Sequence, residues 1–145
     1  MSAEKEAIKK VGGIIVSHGQ VASELLTAAE TVVGELDHIV AVSIGWHDDV
    51  ETAKSEIAGA IKKVSQGNGV LILTDMFGGT PTNISAMFLK DGEVEIVTGV
   101  NLPMVIKLAS QNKPMTLRQM TADVEQQGKT AIYCASELLA PPKNK

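Results

Sequence analysis

The sequence predicts a doubly wound α/β fold built on a parallel sheet, and three observations carry that prediction. Short β-branched apolar runs alternate with longer segments whose apolar residues recur at helical spacing. The run Gly69–Thr74 (GVLILT) is apolar without a break, as a strand covered on both faces must be. The chain has 145 residues, 44% hydrophobic and 21% charged, enough to bury one core without cross-links. Strands alternating with helices join by right-handed crossovers, which puts helices on both faces of the sheet.

The elements follow in order. A charged extension over residues 1–10 leads into Val11–Ser17 (VGGIIVS), the first strand. Val21, Leu25, Leu26, Ala29 and Val32 form the stripe of a helix over Val21–Val33, stopped by Gly34. His38–Ile44 (HIVAVSI) is the second strand. Asp48 opens the next helix through the capping-box pattern Asp48-x-x-Glu51, with Val50, Ala53, Ile57, Ile61 and Val64 on its apolar face. After the third strand, Thr80 is the N-cap and Pro81 the first residue of a short helix. Val94–Thr98 (VEIVT) is the fourth strand; Leu102–Gln111 and Thr116–Gln127 are helical, the latter stopped by Gly128. Thr130–Cys134 (TAIYC) reads as a last strand and residues 137–145 as a C-terminal tail, leaving one domain over residues 11–136.

Composition narrows the function. A net charge of −4 argues against nucleic acid or an anionic membrane as the main partner. No apolar run approaches the roughly 20 residues of a membrane span, and the charged N-terminus has no signal-peptide core, so a cytoplasmic location is expected. Cys134 is the lone cysteine, which excludes a disulfide within the chain and a cysteine-based zinc site; a small core residue is its expected role. No metal or cofactor is expected. Asn83-Ile84-Ser85 matches a glycosylation sequon that carries no weight without a secretory signal. There is no G-x-S-x-G elbow and no G-x-x-x-x-G-K-[ST] loop, and Ser110-Gln-Asn-Lys113 matches S-x-x-K by letter alone.

In such sheets ligands gather at the carboxyl ends of the strands, where strand order reverses. For the common order 2-1-3-4, that crevice lies between the first and third strands. The first runs out into Ser17-His18-Gly19, the third into Asp75-Met76-Phe77-Gly78-Gly79-Thr80. A carboxylate accepting the Nδ1–H of His18 would fix the tautomer and leave Nε2 as a nucleophile. Gly78, Gly79 and Thr80 would supply amide and hydroxyl donors to a phosphoryl group on Nε2, helped by the helix dipole. Taken singly, a turn histidine, a capping aspartate and a glycine pair are ordinary; together at these positions they indicate a site. His38 opens the second strand at the opposite end and is expected at the surface. His47 lies at the correct end but has no glycine-rich loop behind it. With Trp46 it is a candidate for the rim of a docking surface.

These residues resemble a known family. Gly13-Ile-Ile-Val-Ser-His18-Gly19, Leu73-Thr-Asp75-Met-Phe-Gly78-Gly79-Thr80-Pro81-Thr-Asn83 and Gly99-Val-Asn101-Leu-Pro103-Met104 are similar to the mannose-class enzyme IIA domain of the bacterial sugar phosphotransferase system. The resemblance covers Gly12 to Ser136. It implies that His18 accepts a phosphoryl group from the phosphocarrier HPr and passes it to a IIB protein, with Asp75 orienting the histidine and Thr80 as the hydroxyl residue. It also implies a homodimer in which the last strand, here Thr130–Cys134, crosses to pair antiparallel at the edge of the partner's sheet. Some relatives continue into a fused IIB domain; with Lys145 as the last residue, a separate acceptor is expected. Met76, Phe77, Leu102 and Met104 are candidates for an apolar rim that docks HPr, and Asn101 for a helix cap with Pro103 in the first turn. The Gly45-Trp46-His47-Asp48 turn has no counterpart in the pattern. Alternatives are a phosphotransfer subunit serving dihydroxyacetone kinase, and a regulator whose phosphorylation governs binding without onward transfer.

Overall fold

The computed structural model describes residues 8–45 and 48–141. Trp46, His47, residues 1–7 of the extension and residues 142–145 of the tail lie outside the described residues, so the docking role read for Trp46 has no structural counterpart here.

The elements run β1 (Gly12–His18), α1 (Val21–Val33), β2 (Ile39–Ile44), α2 (Val50–Val64), β3 (Val70–Thr74), α3 (Gly79–Ala86), β4 (Val94–Thr98), α4 (Leu102–Ala109), α5 (Leu117–Thr130) and α6 (Ala135–Leu139). The sheet has the order β2-β1-β3-β4, and every pairing is parallel. This is the predicted 2-1-3-4 arrangement.

Side chains alternate faces along a strand, so the unbroken apolar runs of β1 and β3 feed two cores. Ile15, Leu71 and Leu73 pack beneath α1, α4 and α5, against Ala22, Ala29, Leu108, Met120 and Val124. Ile14, Val16 and Ile72 pack on the other face against Ala53, Ile57, Val64 and Ile84 of α2 and α3. Each such fully buried Ile, Leu or Val contributes about 1.5–3 kcal/mol. The glycine pair at the start of β1 lets both layers close in. A Cβ at Gly12 would collide with the Val64 carbonyl, and one at Gly13 would lie 2.5 Å from Leu108 Cδ2.

Several boundaries differ from the sequence reading, each for a local reason. α2 is capped by Asp49, whose side chain accepts the Thr52 N–H, while Asp48 folds back to accept the Gly45 N–H at 2.6 Å. α3 starts at Gly79 with Gly78 as its N-cap, so Thr80 lies inside the first turn and is not the cap. Gly128 does not stop α5; it is buried within the helix, which continues to Thr130.

The expected strand Thr130–Cys134 does not form within a single chain. Thr130 closes α5, and Ile132, Tyr133 and Cys134 have no regular structure and are exposed before α6 begins. A strand needs a partner for its backbone hydrogen bonds, and among the described residues this segment pairs with none. Cys134 is correspondingly an exposed free thiol rather than a core residue. His38 is also corrected: it is 1% exposed, and its Nε2 lies 3.3 Å from the carbonyl oxygen of Leu108 near the end of α4. Among the described residues no helix is long and apolar enough to cross a membrane.

Candidate functional site

β1 and β3 are adjacent and parallel, with Val16 opposite Thr74. Both strands therefore end at the same level, His18 closing β1 and Asp75 following β3. The Asp75 carboxylate reaches across the gap. Its Oδ2 accepts the main-chain N–H of His18 at 2.9 Å and lies 2.8 Å from the ring Nδ1. The imidazole is half exposed, whereas the carboxylate side chain is only 18% exposed.

Burial raises the carboxyl pKa of Asp75, but the backbone and ring hydrogen bonds from His18 and the ring's charge together outweigh it, and the net displacement is downward. Its Oδ1 is buried without a hydrogen-bond partner among the described residues. An ionised carboxylate only accepts, so Nδ1 is the donor, and in the neutral form of the ring Nε2 carries the outward lone pair. That is the electronic arrangement of a nucleophilic imidazole.

Nε2 faces the start of α3. A Cβ built on Gly79 would lie 3.1 Å from His18 Cε1 and 3.2 Å from Nε2, so only glycine leaves the ring its place. Gly78 and Gly79 both adopt the left-handed region, at φ +86° and +79°, which turns the chain into the helix with its first amides unpaired. Thr80 is exposed beside them, with its hydroxyl not engaged as the cap. α1 begins three residues beyond His18, and its N-cap Gln20 makes no side-chain cap. Buried Ser17 serves there instead, accepting the Ala22 N–H at 2.6 Å. Two helix N-termini thus lie close to one imidazole, a setting suited to a dianionic group.

Of the apolar rim residues, Met76 and Phe77 are exposed, at 54% and 83%, directly after Asp75. Leu102 is half-buried and packs against the core. Met104 is corrected: only 2% exposed, it points into the core and is no part of a docking rim. Asn101 caps α4, accepting the Met104 N–H at 3.1 Å, and its amide donates to the Gly128 carbonyl at 3.2 Å. A groove beside the site follows the open edge of β4, lined by Phe77, Ile96, Thr98, Thr121, Glu125 and Ile132. Among the described residues no group of His, Cys, Asp and Glu is arranged to hold a metal ion.

Two buried hydroxyls near the site have no counterpart in the residue pattern. Thr82 Oγ1 donates to the Met76 carbonyl at 2.6 Å and lies 2.8 Å from Thr74 Oγ1. A threonine just inside a helix reads as solvent-facing until the packing is known.

Fold and geometry together define an α/β domain centred on a histidine–aspartate pair that faces the start of a helix. The family model described as "PTS system fructose IIA component" matches residues 12–125, and the chain belongs to this EIIA-man family of phosphotransferase-system IIA components. It is 28% identical over 131 residues to the PTS system fructose-specific EIIA component of Bacillus subtilis (strain 168), covering 90% of each protein. It is 32% identical over 95 residues to the PTS system mannose-specific EIIAB component of Escherichia coli (strain K12), covering 65% of this chain and 29% of that longer protein. The solved mannose/sorbose specific IIA subunit from Enterococcus faecalis superposes with a TM-score of 0.78 at 29% identity, covering 94% of this chain and 99% of that one.

Proposed function

We propose that the protein is a phosphocarrier that takes a phosphoryl group from phospho-HPr onto His18 Nε2 and passes it to a separate IIB protein. The observation that carries this reading is the 2.8 Å contact between His18 Nδ1 and Asp75 Oδ2, on a ring left half exposed. In the transfer, the Nε2 lone pair attacks phosphorus. The P–N bond to the donor ring breaks as the new P–N bond forms, and the electron pair returns to the donor imidazole. His18 keeps its Nδ1 proton and gains positive charge, which the Asp75 carboxylate offsets. The α3 amides and the Thr80 hydroxyl receive the phosphoryl oxygens. No lysine or arginine occurs in the segments 17–24 and 75–83, so the hold stays moderate and the group can leave again.

The test is incubation with phospho-HPr and mapping of the label. An acid-labile, alkali-stable phosphoramidate on His18, absent from His18→Ala, is expected. Equal labelling of His18→Ala would sink the assignment.

The same reading makes the protein a cytoplasmic homodimer in which Ile132–Cys134 pairs with the partner's β4. Support comes from the open β4 edge and from the exposure of Ile132, Tyr133, Leu138 and Leu139. Light scattering on the whole chain and on a chain ending at Thr130 tests it; a dimer that survives the truncation refutes strand exchange.

A further inference from the structure

The segment from Asp75 to Thr80 carries both halves of the site, the carboxylate that orients His18 and the helix start that faces its Nε2. Nothing in its covalent structure holds those halves at a fixed separation. Gly78 and Gly79, both left-handed at φ +86° and +79°, lie between them and are the most permissive points of the segment. The half-buried Asp75 and the exposed Met76 and Phe77 add little packing.

One side chain closes the segment on itself. Thr82 is 8% exposed, on the inner side of the first turn of α3. Its hydroxyl donates to the carbonyl of Met76, the residue after Asp75, at 2.6 Å. Its oxygen also lies 2.8 Å from the hydroxyl of Thr74, the last residue of β3, which is completely buried. Thr74 Oγ1 is itself 3.5 Å from the same carbonyl. The pair therefore joins the end of β3, the peptide beside the carboxylate and the start of α3 at one buried point. A hydroxyl has one hydrogen, so the Thr82 hydrogen goes to Met76 and its lone pair faces Thr74.

We infer that Thr82, backed by Thr74, is a positioning residue for the His18 site: its hydroxyl holds the Asp75 carboxylate and the phosphoryl-receiving helix start in register. This rests on the proposed function for its consequence in transfer, but the geometry it fixes is measurable without any donor. Near-attack geometry is steep, and displacement by about 1 Å far from the chemistry can cost roughly 10²-fold in rate.

The test compares Thr82→Val, which keeps shape and burial, with Thr82→Ser, which keeps the hydroxyl. Two readouts are taken: the ¹⁵N signals of the His18 ring, which report the tautomer, and the rate of His18 phosphorylation with donor in excess. The expected result for Thr82→Val is a shift of the ring away from the Nδ1–H form, and a fall of roughly 10²-fold in kcat with KM little changed. Thr82→Ser should keep both near wild type. If Thr82→Val does not fold, Thr82→Ala, which adds no volume, provides the same two readings. A folded hydroxyl-less variant with the wild-type tautomer and rate overturns the inference. So does a serine variant as impaired as the valine one, which would assign the effect to the lost methyl. A wild-type chain that takes no phosphoryl group refutes the proposed function alone, and the ring signals then decide this inference by themselves.

Discussion

Met104 in α4 and Gly128 in α5 meet where the two helices cross: a Cβ on Gly128 would lie 2.5 Å from the Met104 sulfur and 2.8 Å from its Cγ. Asn101, the cap of α4, donates to the Gly128 carbonyl from the same turn, so the helix that follows β4 is fastened to α5 at one place. The missing side chain makes room for a sulfur, and both are buried.

Gly128→Ala should therefore destabilise the fold. Overpacking costs about 1–3 kcal/mol, against a helix-propensity gain of up to about 1 kcal/mol, leaving a loss of about 1 kcal/mol. Met104→Ala alone should cost about 2–5 kcal/mol through the cavity it opens. The double variant should be more stable than the sum of the two, because the new methyl enters the space the sulfur vacates. Denaturant melts of all four chains measure this, and strict additivity would deny the contact.

Asp75→Asn should slow phosphorylation of His18 by roughly 10²–10⁴-fold with the fold retained. An amide can still accept from Nδ1–H but brings no charge to the phosphorylated ring. The substitution should also remove part of the acid sensitivity. Asp75 has a depressed pKa in the fold, so its contribution is present above the ordinary value near 3.9 and is lost as pH falls through the lower folded value. Transfer kinetics unchanged from wild type would remove Asp75 from the mechanism.

Gly79→Ala tests the seat of the ring. The new Cβ would have to share space with Cε1 and Nε2 of His18 and would adopt a left-handed conformation at about 1–2 kcal/mol. Displaced His18 ring signals and a loss of transfer larger than the loss of stability implies are expected. A variant that phosphorylates at the wild-type rate would show that the helix start is not the receiving surface.

His38 predicts a second pH dependence. Burial lowers its pKa and Lys10 lowers it further, while the Leu108 hydrogen bond and Asp37 oppose this only in part. The unfolded chain therefore binds a proton at a pH where the folded chain does not. Stability is full above the ordinary value of about 6.5 and is lost as pH falls from there toward the folded value. Thermal melts should fall as pH drops below about 6.5, and His38→Leu should flatten that slope although it lowers the plateau. An unaltered slope in the variant would place the titration elsewhere.

The periodic elements were legible because their causes are local. α1 and β4 have the bounds their apolar spacing indicates, Val21–Val33 and Val94–Thr98, and the unbroken run of β3 places that strand inside the sheet. Helix starts were less legible. Asp48 and Asp49 both offer a capping oxygen, and Gly78 and Thr80 both suit an N-cap. The choice fell to backbone angles that the letters do not carry.

By itself, the sequence determined the alternation of strands and helices, and with it the strand ends on which His18, Asp75 and the glycine pair fall. Hydrophobic period, turn chemistry and motif spacing are set by neighbours a few residues apart. Only the tertiary structure decided that His38 and Met104 are buried, that Cys134 is exposed, that Gly128 continues a helix, and that Thr82 fastens the segment carrying Asp75. Each of these depends on which distant atoms a side chain meets, such as Leu108 for His38 or Gly128 for Met104. That partner is chosen when the layers pack, not when the local chain bends.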